Sequence, residues 1–189
     1  MDMVKLTLKG VSTIMGFDDG ALISLVNEDE TRQLSITCEK RMAAELVRRL
    51  SHRSDTRSLL PEVLCRMMGI NLADEASHYR LIIYSIVEGQ YKVLFINEKT
   101  GDNEELRASD AVLLSLVSAI PLYASQQVFN LQSTPYTSGS HDLSLPVNSL
   151  TDQMLHSALK KAVDSEQYEV ASHLRDEIRR REGDAHKRT

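Results

Sequence analysis

The chain has 189 residues, of which 42% are hydrophobic and 26% charged, enough for one domain of ordinary size and a small appendage. A net charge of −5 excludes a uniformly basic surface, and with 14 basic and 18 acidic residues up to position 130 and 8 and 9 after it, neither part is a polybasic arm. No apolar run approaches the roughly 18 residues of a membrane span. Lys5 and Lys9 interrupt any signal-peptide pattern, so the expected compartment is the cytoplasm, with no membrane partner.

Residues 4–9 alternate, with Val4, Leu6 and Leu8 on one side and Lys5, Thr7 and Lys9 on the other, which predicts a strand extending past Gly10. Asp18-Asp19-Gly20 is a turn, residues 21–26 a second strand and residues 33–38 a third, so the opening is an antiparallel meander. The period then changes. Ala43, Leu46, Val47 and Leu50 recur at i, i+3, i+4 and i+7, one face of a helix over residues 39–53. The remaining surface of that helix carries Arg41, Arg48, Arg49 and Arg53, a stripe able to touch DNA or RNA phosphates or simply to face water.

After a polar break at 54–58 a second helix runs over 59–70, with Pro61 in its first turn and Leu60, Val63, Leu64 and Met67 expected inward. A hairpin follows. Its first strand, residues 78–87, places Tyr79, Leu81, Ile83, Ser85 and Val87 on one face and Arg80, Ile82, Tyr84 and Ile86 on the other. Both faces are apolar in the middle, which predicts a central strand covered on both sides. Cys38 and Cys65 belong to no CxxC pattern and read as small buried hydrophobes.

Residues 104–129 read as a strand end, a short apolar helix, Pro121, and a further extended segment through Leu122, Tyr123 and Val128. The helix is apolar over 111–120 except at Ser115 and Ser118, the pattern of a helix buried nearly all round. Ser109 suits the N-cap and Asp110 the first turn, where the helix dipole favours negative charge. Arg107, Ser109 and Asp110 therefore gather at the mouth of a buried element, either as a site or as a plain helix cap with a local ion pair.

Residues 132–149, QSTPYTSGSHDLSLPVNS, read as a flexible linker. Two helical patterns follow, over 150–163 and 168–181, which predict an antiparallel hairpin within 150–182 and a disordered tail at 183–189. Leu155, Leu159, Leu174 and Ile178 form a short apolar seam. Two short helices bury little alone, so the hairpin is expected to pack on its own domain or to share this seam with another chain, as a homo-oligomer or with a protein partner. The fold class is α+β: a mixed, largely antiparallel sheet with packed helices, then the linker and the α-helical hairpin.

Two resemblances attach to these positions. Residues 155–180 resemble the UVR motif of the UvrB and UvrC repair proteins, through Ala162, Tyr168, Glu169, Ala171, Leu174, Arg175, Asp176 and Ile178, with Ser172 where a second alanine is usual. That resemblance implies a protein-binding hairpin without catalysis. Residues 11–129 resemble the bifunctional nuclease domain, through Arg107-Ala108-Ser109-Asp110-Ala111 and Ala119-Ile120-Pro121-Leu122-Tyr123. It implies cleavage of DNA and RNA by residues 1–131, with catalytic residues Asp110, Arg107 and Ser109. Where the family often has Thr-His-Asp the chain has Thr56-Arg57-Ser58, and Glu39 and Met42 stand where a Gly and a Glu are frequent. The expected chemistry is phosphodiester hydrolysis, metal-assisted by Mg or Mn, in which Asp110 serves as metal or water-activating carboxylate and Arg107 steadies the phosphate. The metal ligands are left unassigned; Glu39 and Asp55 join the site only if the fold brings them close. The alternative is a non-catalytic scaffold that dimerises and recruits a partner through the hairpin.

Overall fold

The structure, a computed structural model, describes residues 2–13, 20–51, 54–70, 78–136 and 150–186. Eight strands, β1 (Met3–Thr13), β2 (Gly20–Asn27), β3 (Arg32–Glu39), β4 (Tyr79–Val87), β5 (Gln90–Asn97), β6 (Asn103–Arg107), β7 (Leu122–Ser125) and β8 (Thr134–Pro135), make one sheet in the order β6-β5-β4-β7-β1-β2-β3-β8. Every neighbouring pair is antiparallel except β4 and β7. Among the described residues six α-helices accompany the strands: α1 (Lys40–Leu50), α2 (Leu60–Met67), α3 (Ala108–Ser118), α4 (Gln126–Gln132), α5 (Asp152–Asp164) and α6 (Tyr168–His186). The fold is α+β, with a mixed and largely antiparallel sheet and a C-terminal helical pair.

The sheet's inner face carries Ile23, Leu25, Leu34, Leu81, Ile83 and Val93, which pack with Leu46 of α1 and with Ala111 and Val112 of α3 in one apolar core. Two bulges tune that face. Leu8 pairs with Leu25 but Gly10 with Ser24, so the extra residue Lys9 reverses the alternation and turns Val11 to the core side with Leu8. In β4 the register slips between Ile83 and Ser85, so Ile86 joins Leu81 and Ile83 against the core. The expected two-face pattern of this strand fails for that reason. Its other face is only half covered, since Tyr84 is exposed and Ile82 half-buried. The hairpin joining β4 to β5 turns at Glu88 and Gly89, both at positive φ (52° and 75°), the backbone that matches strand twist in a two-residue loop.

Four other expectations are corrected. Leu60, Leu64 and Met67 of α2, expected inward, are exposed, and Cys65 is the buried side chain of that helix. Val128 is not in a strand: β7 ends at Ser125, whose hydroxyl accepts from the Val128 amide and caps α4. The start of the expected linker is ordered: Gln132 ends α4, Thr134 pairs with Gln33 and Pro135 with Arg32, and Arg32 donates to the Ser133 hydroxyl and carbonyl. The rest of the expected linker, residues 137–149, lies outside the described residues. The tail at 183–186 continues α6 instead of fraying, and residues 187–189 also lie outside the description.

The hairpin stands on the sheet and closes on itself. Leu155, Ala162, Ala171 and Leu174 are buried together, with Leu159 and Ile178 packed against them. The seam expected to face a partner is thus the contact between α5 and α6. Thr151 caps α5 by accepting from the Met154 amide, while buried Arg181 of α6 donates to Asp152 and Glu177.

Candidate functional site

The site is built where β3 runs into α1 and β6 runs into α3. Strand β6 continues to Arg107, so α3 begins at Ala108 and its N-cap is Arg107 in extended conformation, with no side-chain cap. Ser109 therefore lies inside the first turn and does not cap, contrary to expectation. Asp110 does occupy the first turn, where the helix dipole favours it. Arg107 donates through Nε to Asp110 Oδ2 at 2.6 Å and through Nη2 to Oδ1 at 3.3 Å, a forked contact on one carboxylate. On its other side Arg107 Nη1 lies 3.9 Å from Glu39 Oε1. Glu39, the last residue of β3, thus joins the cluster across some seventy positions of sequence. Asp55 does not: it accepts from Arg48 Nη2 at 2.7 Å.

The far end of the apolar helix explains its two serines. Ser118 Oγ donates to the Leu114 carbonyl and accepts from the Ile120 amide, and Ser115 Oγ donates to the Ile120 carbonyl. They tie down the reversal at Ala119, which sits at φ 55° without being glycine. The helix is less enclosed than its composition predicted. Ala108, Ala111, Val112 and Ser118 are buried, and Leu113, Leu114 and Leu116 only partly so.

Arg107 and Ser109 line a cleft of about 700 Å³ between the sheet and the hairpin; Glu39, Arg41 and Glu45 form its α1 side, Tyr91, Lys92 and Glu105 its β5–β6 side, and Thr151, Gln153 and Met154 of the hairpin its roof. Asp110 is not among the lining residues and meets the cleft through its contact with Arg107. Lys92 donates to Glu105, which also accepts from Tyr84, and these two hydrogen bonds, Lys92 first, hold the Glu105 carboxyl below its ordinary range. Cys38 of β3, next to Glu39, also lines the cleft, and burial pushes its thiol up to about 11. Tyr91 is buried with its hydroxyl lacking a hydrogen-bond partner among the described residues, and burial raises its pKa as well. Glu39 was expected only on condition that the fold bring it close, which it does; Lys92, Glu105 and Tyr91 were not in the sequence-derived site. Nothing in local periodicity singles them out.

The arginine stripe divides. Arg41 is exposed and lines the cleft. Arg48 is paired with Asp55. Arg49 points inward, its side chain 6% exposed, held by both oxygens of Glu62 at 2.8 and 3.0 Å and by Glu45 at 2.7 Å. It is a structural clamp between α1 and α2, and leaves the phosphate-binding set. Arg53 lies outside the described residues.

The residues partly fit a divalent cation. Two carboxylates, Glu39 and Asp110, converge on one guanidinium, and among the described residues no group of three or more His, Cys, Asp or Glu gathers as a cage. One or two carboxylates suffice for magnesium when substrate phosphate oxygens complete its shell. No helix among the described residues is long and apolar enough to cross a membrane. The fold and cleft thus define an α+β protein with a charged cleft roofed by its own C-terminal hairpin. Comparison with protein-family models finds no match, and comparison with curated proteins finds none.

Proposed function

We propose that this protein is a nuclease of the bifunctional-nuclease type, which hydrolyses DNA or RNA phosphodiester bonds in the cleft beneath its UVR-like hairpin. The observation that carries the reading is Arg107, held between the carboxylates of Asp110 and Glu39 at the cleft wall. In this reading Arg107 takes a phosphate oxygen, and Asp110 or Glu39, so released, accepts the proton of the attacking water; the same two carboxylates would hold a Mg or Mn ion. Such an ion would make the water a stronger nucleophile and neutralise the developing charge. Arg41, exposed on the α1 side of the cleft, steers the adjoining phosphate.

The test is cleavage of single-stranded DNA, double-stranded DNA and RNA with magnesium or manganese, comparing the intact chain with Asp110→Ala and Glu39→Gln. Cleavage lost in either variant supports the assignment. Cleavage unchanged in both removes the pair from the mechanism. The hairpin seated over the cleft favours a second reading, a non-catalytic scaffold that binds a protein partner; absence of metal-dependent cleavage by the intact chain would leave that one standing.

A further inference from the structure

Two apolar surfaces stay open to water and differ in the sign of their surroundings. The first is α2 and its end. Leu60, Leu64, Met67 and Met68 recur at i, i+4, i+7 and i+8 and point outward, Leu60 69% and Met67 80% exposed. The opposite side of the helix is anchored by buried Cys65 and by Glu62 in the Arg49 clamp, so the face is presented on a fixed support. Among the described residues, with Glu62 turned inward and Asp55 paired with Arg48, the remaining exposed charges of residues 54–68 are Arg57 and Arg66, the latter donating to the Arg57 carbonyl.

The second surface is the tip of the α5–α6 hairpin. The reversal at Glu166, φ 57°, brings Val163 at the end of α5 near Tyr168 and Val170 at the start of α6, all three exposed and Tyr168 68% so. Residues 163–170 include Asp164, Glu166 and Glu169 and no base. One surface is apolar with a basic rim, the other apolar with an acidic rim. Within one chain neither covers the other.

We infer that the α2 face receives the hairpin tip of a second copy of this chain. Joining two α2 faces would set Arg57 and Arg66 against themselves, and joining two tips would set three carboxylates against three, arrangements that like-charge repulsion disfavours. Tip on α2 pairs the charges and buries Tyr168, an aromatic anchor, among the adaptable Met67 and Met68 side chains. Such a contact is heterologous: every copy carries both halves, so association builds a ring or a chain rather than a two-fold dimer. The inference does not depend on the cleft's chemistry.

Sedimentation velocity on the full chain, Met67→Asp and Tyr168→Asp tests it, with circular dichroism to confirm that both variants remain folded. The full chain should self-associate and each variant sediment as a monomer. An equimolar mixture of the two should form a 1:1 pair and nothing larger, because the Met67→Asp copy still lends its tip to the intact α2 of the other. Arg66→Glu and Glu169→Arg, each alone, should weaken association about tenfold or more, and both together in one chain should restore it. A full chain that stays monomeric up to millimolar concentration overturns the inference. So does a mixture that remains monomeric, or a double charge reversal that fails to restore association.

Discussion

The carbonyl oxygen of Leu150 lies against Gly89 in the space that a β-carbon there would occupy. This contact seats the C-terminal hairpin on the β4–β5 turn, and it requires glycine twice over: for the approach, and for a φ of +75°.

Gly89→Ala should therefore release the hairpin without unfolding the sheet. The left-handed backbone alone costs about 1 kcal/mol for alanine, and the overlap with Leu150 adds to it. Hydrogen exchange should show faster exchange in α5 and at the roof of the cleft, with β1, β2 and β3 unchanged. A hairpin that stays protected would show that docking does not hinge on this turn.

Arg49→Met should destabilise the protein by about 3 kcal/mol, because it strands Glu62, 13% exposed, without its guanidinium. The midpoint of urea unfolding reads this directly. Arg49→Met with Glu62→Met should recover much of the loss, since a well-packed apolar pair has no buried charge to compensate. By contrast Arg41→Ala should leave the midpoint nearly unchanged and weaken any salt-dependent nucleic-acid binding.

Cys38 should react slowly with thiol-directed reagents at neutral pH. Its thiol ionises at about 11, so almost none is thiolate until the solution becomes strongly alkaline. Alkylation rate plotted against pH should climb past the range where an ordinary thiol has already levelled. Release of the hairpin by Gly89→Ala should speed the reaction by opening the cleft wall.

Acid should loosen the hairpin through Glu177. Its carboxyl is held below the ordinary 4.5 by a hydrogen bond from Arg180 first and from Arg181 second. A carboxyl whose folded pKa is depressed contributes stability that is fully present above its unfolded value and lost as pH falls through the folded one. Hairpin stability should thus be level above about pH 5 and decline below it. Glu177→Gln should start lower at neutral pH and show a shallower acid decline, measured by helix content on heating.

The sequence alone determined the elements whose signals are local. Alternation marked β1, β2 and β3, turn chemistry at Glu88-Gly89 marked the β4–β5 hairpin, and helical spacing marked α1, α2, α5 and α6. It also placed Arg107 and Asp110 together, because three positions across the start of a helix are neighbours whatever surrounds them. Tertiary structure decided the rest. The bulges at Lys9 and Tyr84 change which side chains face the core, and a bulge is defined by the partner strand, which local alternation does not contain. Arg49 looked like its neighbours on the basic stripe until Glu62, thirteen residues on, claimed it. Glu39 reached Arg107 only because β3 and β6 each hand over to a helix at the same cleft. The hairpin seam was visible as apolar spacing, yet its partner was its own second helix, and its seat was a glycine some sixty residues away. Side-chain pattern is set by the few residues along a strand or helix, whereas the meeting of charges and the cover over an apolar face are set by strand order, a property of the whole chain.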